Sequence, residues 1–147
     1  LQTSAHFPDY DEVRRAVLPC VDTVEVSLKF ADADAHQAYC GTDNILILAN
    51  LRRLVAEPHV EVQVSIPLVP GVTATSENLQ ALSAIVRDVG VKTVRLLPYN
   101  PLPAHLSSAV ARCESGLPRA FMKPEEIAWA KAVLLEHMVD PAAPGDS

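Results

Sequence analysis

Apolar residues recur along this chain with two different periods. Three stretches are almost continuously apolar and rich in β-branched residues: 21–30 (VDTVEVSLKF), 60–69 (VEVQVSIPLV) and 93–98 (TVRLLP). Each has the length and composition of a buried strand, and each is followed by a polar, Gly- or Pro-containing segment and then by a helical pattern. A helix is predicted to open near Thr42-Asp43-Asn44, with Asn44 or Asp43 as N-cap and Ile45, Leu48, Leu51, Leu54 and Val55 on its apolar face. A second runs from Thr75 or Ser76 to Val89 with Leu79, Leu82, Ile85, Val86 and Val89 inward, ended by Gly90. A third starts at Lys123, with Pro124 in its first turn and Ile127, Ala130, Val133, Leu134 and Met138 facing the core. A short helix near residues 10–17, closed by Pro19, precedes them.

Strand and helix therefore alternate, and such alternation predicts parallel strands joined by right-handed helical crossovers in one α/β domain over residues 1–138. The segment 139–147 (VDPAAPGDS) reads as a disordered tail. Ligands of parallel sheets bind at the carboxyl ends of the strands. That geometry singles out Thr3-Ser4, Ser27 to Lys29, Ser65 to Gly71, and Pro98 to His105 before any motif is considered. A doubly wound sheet and a segment of a (β/α) barrel both satisfy the alternation.

Composition narrows the partners. The 147 residues are 49% hydrophobic, and the net charge of −6, with twelve scattered Lys and Arg, argues against nucleic acid as a general partner. Apolar runs such as 45–49 fall far short of the ~20 residues that cross a bilayer. The N-terminus has no secretory pattern and no initiator Met, and reads as the start of a piece cut from something longer. Cys20, Cys40 and Cys113 form no CxxC pair, which points to a reducing, cytoplasmic setting and to no self-contained zinc or iron–sulfur site.

Few groups carry chemistry. Lys29, at the end of an apolar strand, is either a snorkelling strand-end lysine or a cation aimed at an anionic ligand. Pro67, Pro70 and Gly71 should lift the second strand out of the sheet. Asp32, Asp34 and His36 do not match a calcium loop, and this stretch reads as a capped loop between strand and helix. No GxGxxG, Walker or GxSxG motif occurs.

Four segments in order are more specific than any alone: LQTSA (1–5), the block 21–54, VSIPLVPGVTATSENLQAL (64–82) and VRLLPYNPLPAHL (94–106). They resemble the C-terminal half of the radical S-adenosylmethionine activases of glycyl radical enzymes, the pyruvate formate-lyase activating enzyme family. Its members show Asp/Glu-Thr-Asn/Ser-Gly, then D-x-K followed by H…TG..N..IL.NL, then R-x-P-x-x-PG with Asn-Asp after it, and then LLPYH..G. The resemblance implies a partial (β/α) barrel with helices on its outer face. It also implies a reaction in which S-adenosylmethionine is cleaved at a [4Fe-4S] cluster and the 5′-deoxyadenosyl radical takes hydrogen from a glycine of a partner enzyme. It places the cofactor at Thr3, Ser27, Lys29, Ser65 and Asn100.

Thr3 and Lys29 match the family, whereas Gln2, Ala5, Ser27, Ser65, Thr73-Ala74, Asn100 and Pro103 depart from it. Several departures remove a charged or titratable group: Ser27 replaces an aspartate and Ser65 an arginine, while Asn100 takes the place of a histidine. The cluster motif CxxxCxxC is absent from the sequence, so no metal ligands and no catalytic residue are assigned within it. Two readings follow, an activase whose cluster-bearing half lies elsewhere and a degenerate, non-catalytic barrel fragment acting as a binding or structural module. A third is an unrelated α/β enzyme using Lys29 on an anionic substrate. Half a barrel exposes a sheet edge, so a missing barrel half, self-association or a partner is expected to cover it.

Overall fold

A computed structural model describes residues 1–101, 117–118 and 120–138. Its strands are β1 (Gln2–Thr3), β2 (Thr23–Ser27), β3 (Glu61–Leu68) and β4 (Thr93–Pro98). The helices are α1 (Tyr10–Ala16), α2 (Ala33–Cys40), α3 (Ile45–Val55), α4 (Ser76–Val89) and α5 (Pro124–Met138). The final residues of the LLPYNPLPAHL loop, Cys113 and the expected tail lie outside the described residues.

The strands form one parallel sheet in the order β1-β2-β3-β4. Sequential order decides the architecture. Every crossover moves one place in the same direction, so right-handed connections put the described crossover helices on one face, and no reversal of order among these four strands creates a doubly wound sheet. Side chains divide accordingly. Val24, Val26, Leu28, Val64, Ile66 and Leu68 are buried with Leu51, Leu54, Leu79, Leu82 and Val86 of the helices. The alternate residues, Glu25, Ser27, Gln63 and Ser65, belong to the opposite face, helix-free among the described residues.

Three boundaries differ from the sequence reading. The first long strand ends at Ser27 instead of Phe30, and Pro67 explains why. Leu28 N–H still bonds Ser65 O at 2.9 Å, but the next rung needs an N–H on residue 67, and proline has none. Pro67 itself remains in β3, in register with Leu97, so the strand leaves the sheet only after Leu68. Secondly, residues 33–40 form a helix where a loop was expected. Asp32 caps it by accepting from Ala35 N–H at 2.8 Å, and Gly41, at φ 80°, ends it in the left-handed region. Thirdly, α3 turns Ile47, Asn50, Leu51 and Leu54 inward, while Ile45 is 67% exposed. Asn44 occupies the N-cap position without capping, and the Asp43 carboxylate accepts from Ile45 N–H instead.

At the start of α1, Tyr10 is buried beside Glu57, which pairs with Arg14 at 2.8 Å, and Arg53 lies 3.9 Å over the Tyr10 ring. Burial pushes the phenol up to about 12, helped by the Glu57 charge and hydrogen bond and opposed by Arg53 and Arg14. A folded-state pKa above the unfolded value favours the neutral phenol, so this contribution is complete below pH 10 and is lost as pH rises toward 12. Tyr10→Phe should therefore show a shallower loss of stability than the parent across that interval in alkaline urea titrations. Equal slopes would remove Tyr10 from the account.

Candidate functional site

Three asparagines build the carboxyl end of the sheet. Asn50, from α3, donates to Ala5 O (2.8 Å) and Phe7 O (3.0 Å). They flank the turn after β1, where Ala5 has φ 59°, the one non-glycine in the left-handed region among the described residues. Asn44 donates to Phe30 O and Ala31 O. Asn78, in the first turn of α4, donates to Lys29 O and Thr73 O and accepts from Ala31 N–H, all at 2.9 Å. It thus ties the end of β2 to the turn after β3. That turn is closed by Thr73, whose hydroxyl donates to Pro67 O and accepts from Val69 N–H, with Gly71 at φ 72°. These side chains satisfy backbone groups that leave the ladder where the strands end. The buried His36 ring meets Thr42 O at 2.6 Å and ties α2 to the link that leads into α3.

Register brings together positions that are far apart in sequence. Ser27 is the partner of Ser65, and Ser65 of Arg95, so the three lie side by side across β2, β3 and β4. One pleat below, Gln2, Glu25 and Gln63 form a second row. Gln2 donates to Glu25 Oε1 at 2.8 Å, and Arg95 donates to Glu25 Oε2. The side chain of Glu25 is 12% exposed and that of Arg95 56%. Since β2 and β4 are about 10 Å apart, two strand spacings, Arg95 has to cross β3 to reach Glu25. The residue at its base is the small Ser65, itself fully buried. Ser65 Oγ has no hydrogen-bond partner, alone in this among buried side-chain polar atoms of the described residues.

Of the residues singled out from the sequence, Ser27 and Ser65 are adjacent on the helix-free face. Lys29 is half-buried just beyond β2 and forms no ion pair among the described residues. Asn100 is exposed two residues past β4. Thr3 stands in register with Val26, in the row that includes the helix-facing valines, and its hydroxyl accepts from Ala5 N–H at 3.0 Å. Sequence reading missed Glu25 and Arg95. A lone charge within each apolar strand was the available signal, and their pairing needed the register.

The cluster-and-nucleoside chemistry of the resembled family can be tested against these residues. Among the described residues no group of three His, Cys, Asp or Glu side chains could hold a metal ion. Cys20 precedes β2 and Cys40 ends α2 beyond it, so the two lie at opposite ends of the sheet. An iron–sulfur cluster does not fit these residues. Ser27, Lys29, Ser65 and Asn100 do offer hydrogen-bonding groups at the strand ends. No helix among the described residues is long and apolar enough to cross a membrane.

No family model matches the chain. Among curated proteins, the trans-4-hydroxy-L-proline dehydratase activating enzyme of Clostridioides difficile is 32% identical over 91 residues, 60% of this chain and 30% of that protein. The isethionate sulfite-lyase activating enzyme of Nitratidesulfovibrio vulgaris is 36% identical over 88 residues, 59% of this chain and 28% of the relative. The pyruvate formate-lyase 2-activating enzyme of Escherichia coli is 33% identical over 79 residues, covering 54% and 27% respectively. The chain thus spans less than a third of the length of these relatives. Among solved structures, a domain of a pyruvate formate-lyase-activating enzyme from Bacteroides vulgatus superposes with a TM-score of 0.71 at 20% identity, over 92% of this chain and 74% of that one. A radical SAM methyltransferase from Sphaerobacter thermophilus gives 0.66 at 22% identity, over 92% and 37%. The four-stranded parallel α/β fold is shared with that activating-enzyme domain, and the family likeness read from the sequence is that of the relatives: glycyl-radical-enzyme activating enzymes of the pyruvate formate-lyase type.

Proposed function

We propose that this chain is the C-terminal part of a radical S-adenosylmethionine activating enzyme, whose partner is a glycyl radical enzyme and whose cluster-binding segment lies outside this sequence. The observation that carries the reading is similarity over more than half the chain to activating enzymes for two different lyases and a dehydratase. In a whole enzyme of that kind the cofactor would supply the hydrogen-abstracting radical. The part of this chain is to bind and orient. Ser27, Ser65 and Asn100 would hydrogen-bond the polar edge of the nucleoside or amino acid moiety, and Lys29 would face an anionic group. The asparagine staples keep the end of β2 and the turn after β3 fixed, so binding there does not have to order the loops.

A second reading, a non-catalytic barrel fragment serving as a binding or structural module, is favoured by one observation. The positions where the family carries an aspartate and an arginine are direct neighbours here, and both are serine. Replacing both members of an opposite-charge pair leaves no orphan charge, which is how a site is retired without harm to the fold. Isothermal titration with S-adenosylmethionine separates the two. Saturable binding at or below millimolar ligand, weakened by Lys29→Ala, supports the activating-enzyme reading. Absence of heat at that concentration rejects it in favour of the module.

A further inference from the structure

We infer that the cleft at the amino ends of β3 and β4, on the side packed by helices, binds a free α-amino acid with a large apolar side chain. It lies at the opposite end of the sheet from the strand ends considered above, and it stands whether or not S-adenosylmethionine binds there.

The cleft exists because the helix layer stops one pleat short of the strand starts. Val64, Ile66 and Leu68 of β3 are fully buried, whereas Val62, on the same face of the same strand, is only half-buried. Val55, the last residue of α3, is likewise half-buried, although Leu51 and Leu54 before it are fully enclosed. Together with Val91 these valines line a cavity of about 430 Å³, within the roughly 300–1,000 Å³ of small-molecule sites. Apolar surface left uncovered in this way favours an apolar occupant.

The polar groups around the valines carry both signs of charge, and each has capacity to spare. Glu57, in the link from α3 to β3, lines the cavity with a side chain only 9% exposed. Arg14 and the Tyr10 hydroxyl both approach its Oε1, at 2.8 and 3.4 Å, and no hydrogen bond to Oε2 forms among the described residues. Ser65 Oγ is the one side-chain atom there both sealed and unpaired, so Oε2 stays open to a ligand. Glu61, exposed at the start of β3, uses one oxygen for Gln63 and keeps the other. Helices α3 and α4 both end at this cleft, and the carbonyls of their last turns add negative potential. An amino group is therefore favoured along the Glu57 and Glu61 edge. Lys92, exposed in the link from α4 to β4, forms no ion pair among the described residues and offers three donors to a carboxylate. Opposite charges around an apolar floor match a zwitterion whose side chain rests on Val55, Val62 and Val91. An apolar acid or an apolar amine would answer only one of the two charges.

The test is an NMR titration of the backbone amides of the full chain at neutral pH with L-phenylalanine, 3-phenylpropanoate, 2-phenylethylamine and L-alanine. Phenylalanine should give saturable shifts centred on residues 55–62 and 90–93. The acid and the amine each lack one charge and should bind about tenfold more weakly. Alanine has both charges without the apolar body and should give only linear shifts. Lys92→Gln, at an exposed position, should raise Kd for phenylalanine about fivefold. Val62→Phe fills the floor and should abolish saturation, with unshifted amides in β2 and α4 showing that the fold is kept. Linear shifts with phenylalanine, equal affinity for the acid or the amine, a Kd indifferent to Lys92→Gln, or saturation retained by Val62→Phe overturns the site. Saturable shifts centred instead on residues 27, 29 and 65 would put the amino acid at the other end of the sheet and overturn it as well.

Discussion

Replacing Asn78 with alanine is expected to lower the unfolding free energy by about 3 kcal/mol, at roughly 1 kcal/mol for each hydrogen bond lost. The side chain holds three backbone groups from two loops: Lys29 O, Thr73 O and Ala31 N–H. Alanine supplies none of them, and each group is left at a strand end with partial access to water. Asn78→Asp is the informative companion. It keeps an acceptor for Ala31 N–H but points carboxylate oxygens at two carbonyls, and should be at least as damaging. Urea unfolding gives the magnitude, and faster amide exchange at Ala31 gives the location. A loss below about 1 kcal/mol, within the range of a single ordinary hydrogen bond, would mean that water replaces the amide.

The second large effect is asymmetric. Arg95→Gln should cost about 2 kcal/mol, because it leaves the enclosed Glu25 carboxylate with only the Gln2 amide, and an uncompensated buried charge is costly. Glu25→Gln should cost about 0.5 kcal/mol, since the half-exposed guanidinium returns to water and the new amide still accepts from Gln2. In the double variant most of the Arg95→Gln loss should be recovered, giving a coupling of about 2 kcal/mol in a double-mutant cycle. Equal losses for the two single variants, with no coupling, would reduce the pair to an unconnected surface contact.

These residues also show what could be read from the sequence and what could not. The strands were legible because Val24, Val26, Val64 and Ile66 are β-branched and buried, and α4 because Thr75 and Gly90 mark its two ends. Helix α2 was missed although Asp32 and Gly41 bracket it in the same way. Only His36 is buried along it, so it carries no apolar stripe to reveal a helical period. Ile45 was assigned inward because it begins an apolar run, but its neighbours Ile47 and Leu51 won the inward face. The candidate positions were legible one by one: Ser27, Lys29 and Ser65 were visible as strand-end residues. Their adjacency was not, because register between strands almost forty residues apart is decided by pairing and not by local pattern. Glu25 and Arg95, seventy residues apart, were the extreme case.

The crossing of β3 by Arg95 also bears on strand alignment. In β4, Leu96 and Leu97 are both half-buried, so burial scarcely tells one side of this strand from the other. Sliding β4 by one residue would exchange the two leucines at little hydrophobic cost, whereas it would drive Arg95 toward the helix-packed side, away from Glu25. An ionic tether thus does for this strand what alternating greasy and polar residues do for its neighbours: it makes the misaligned sheet the expensive one.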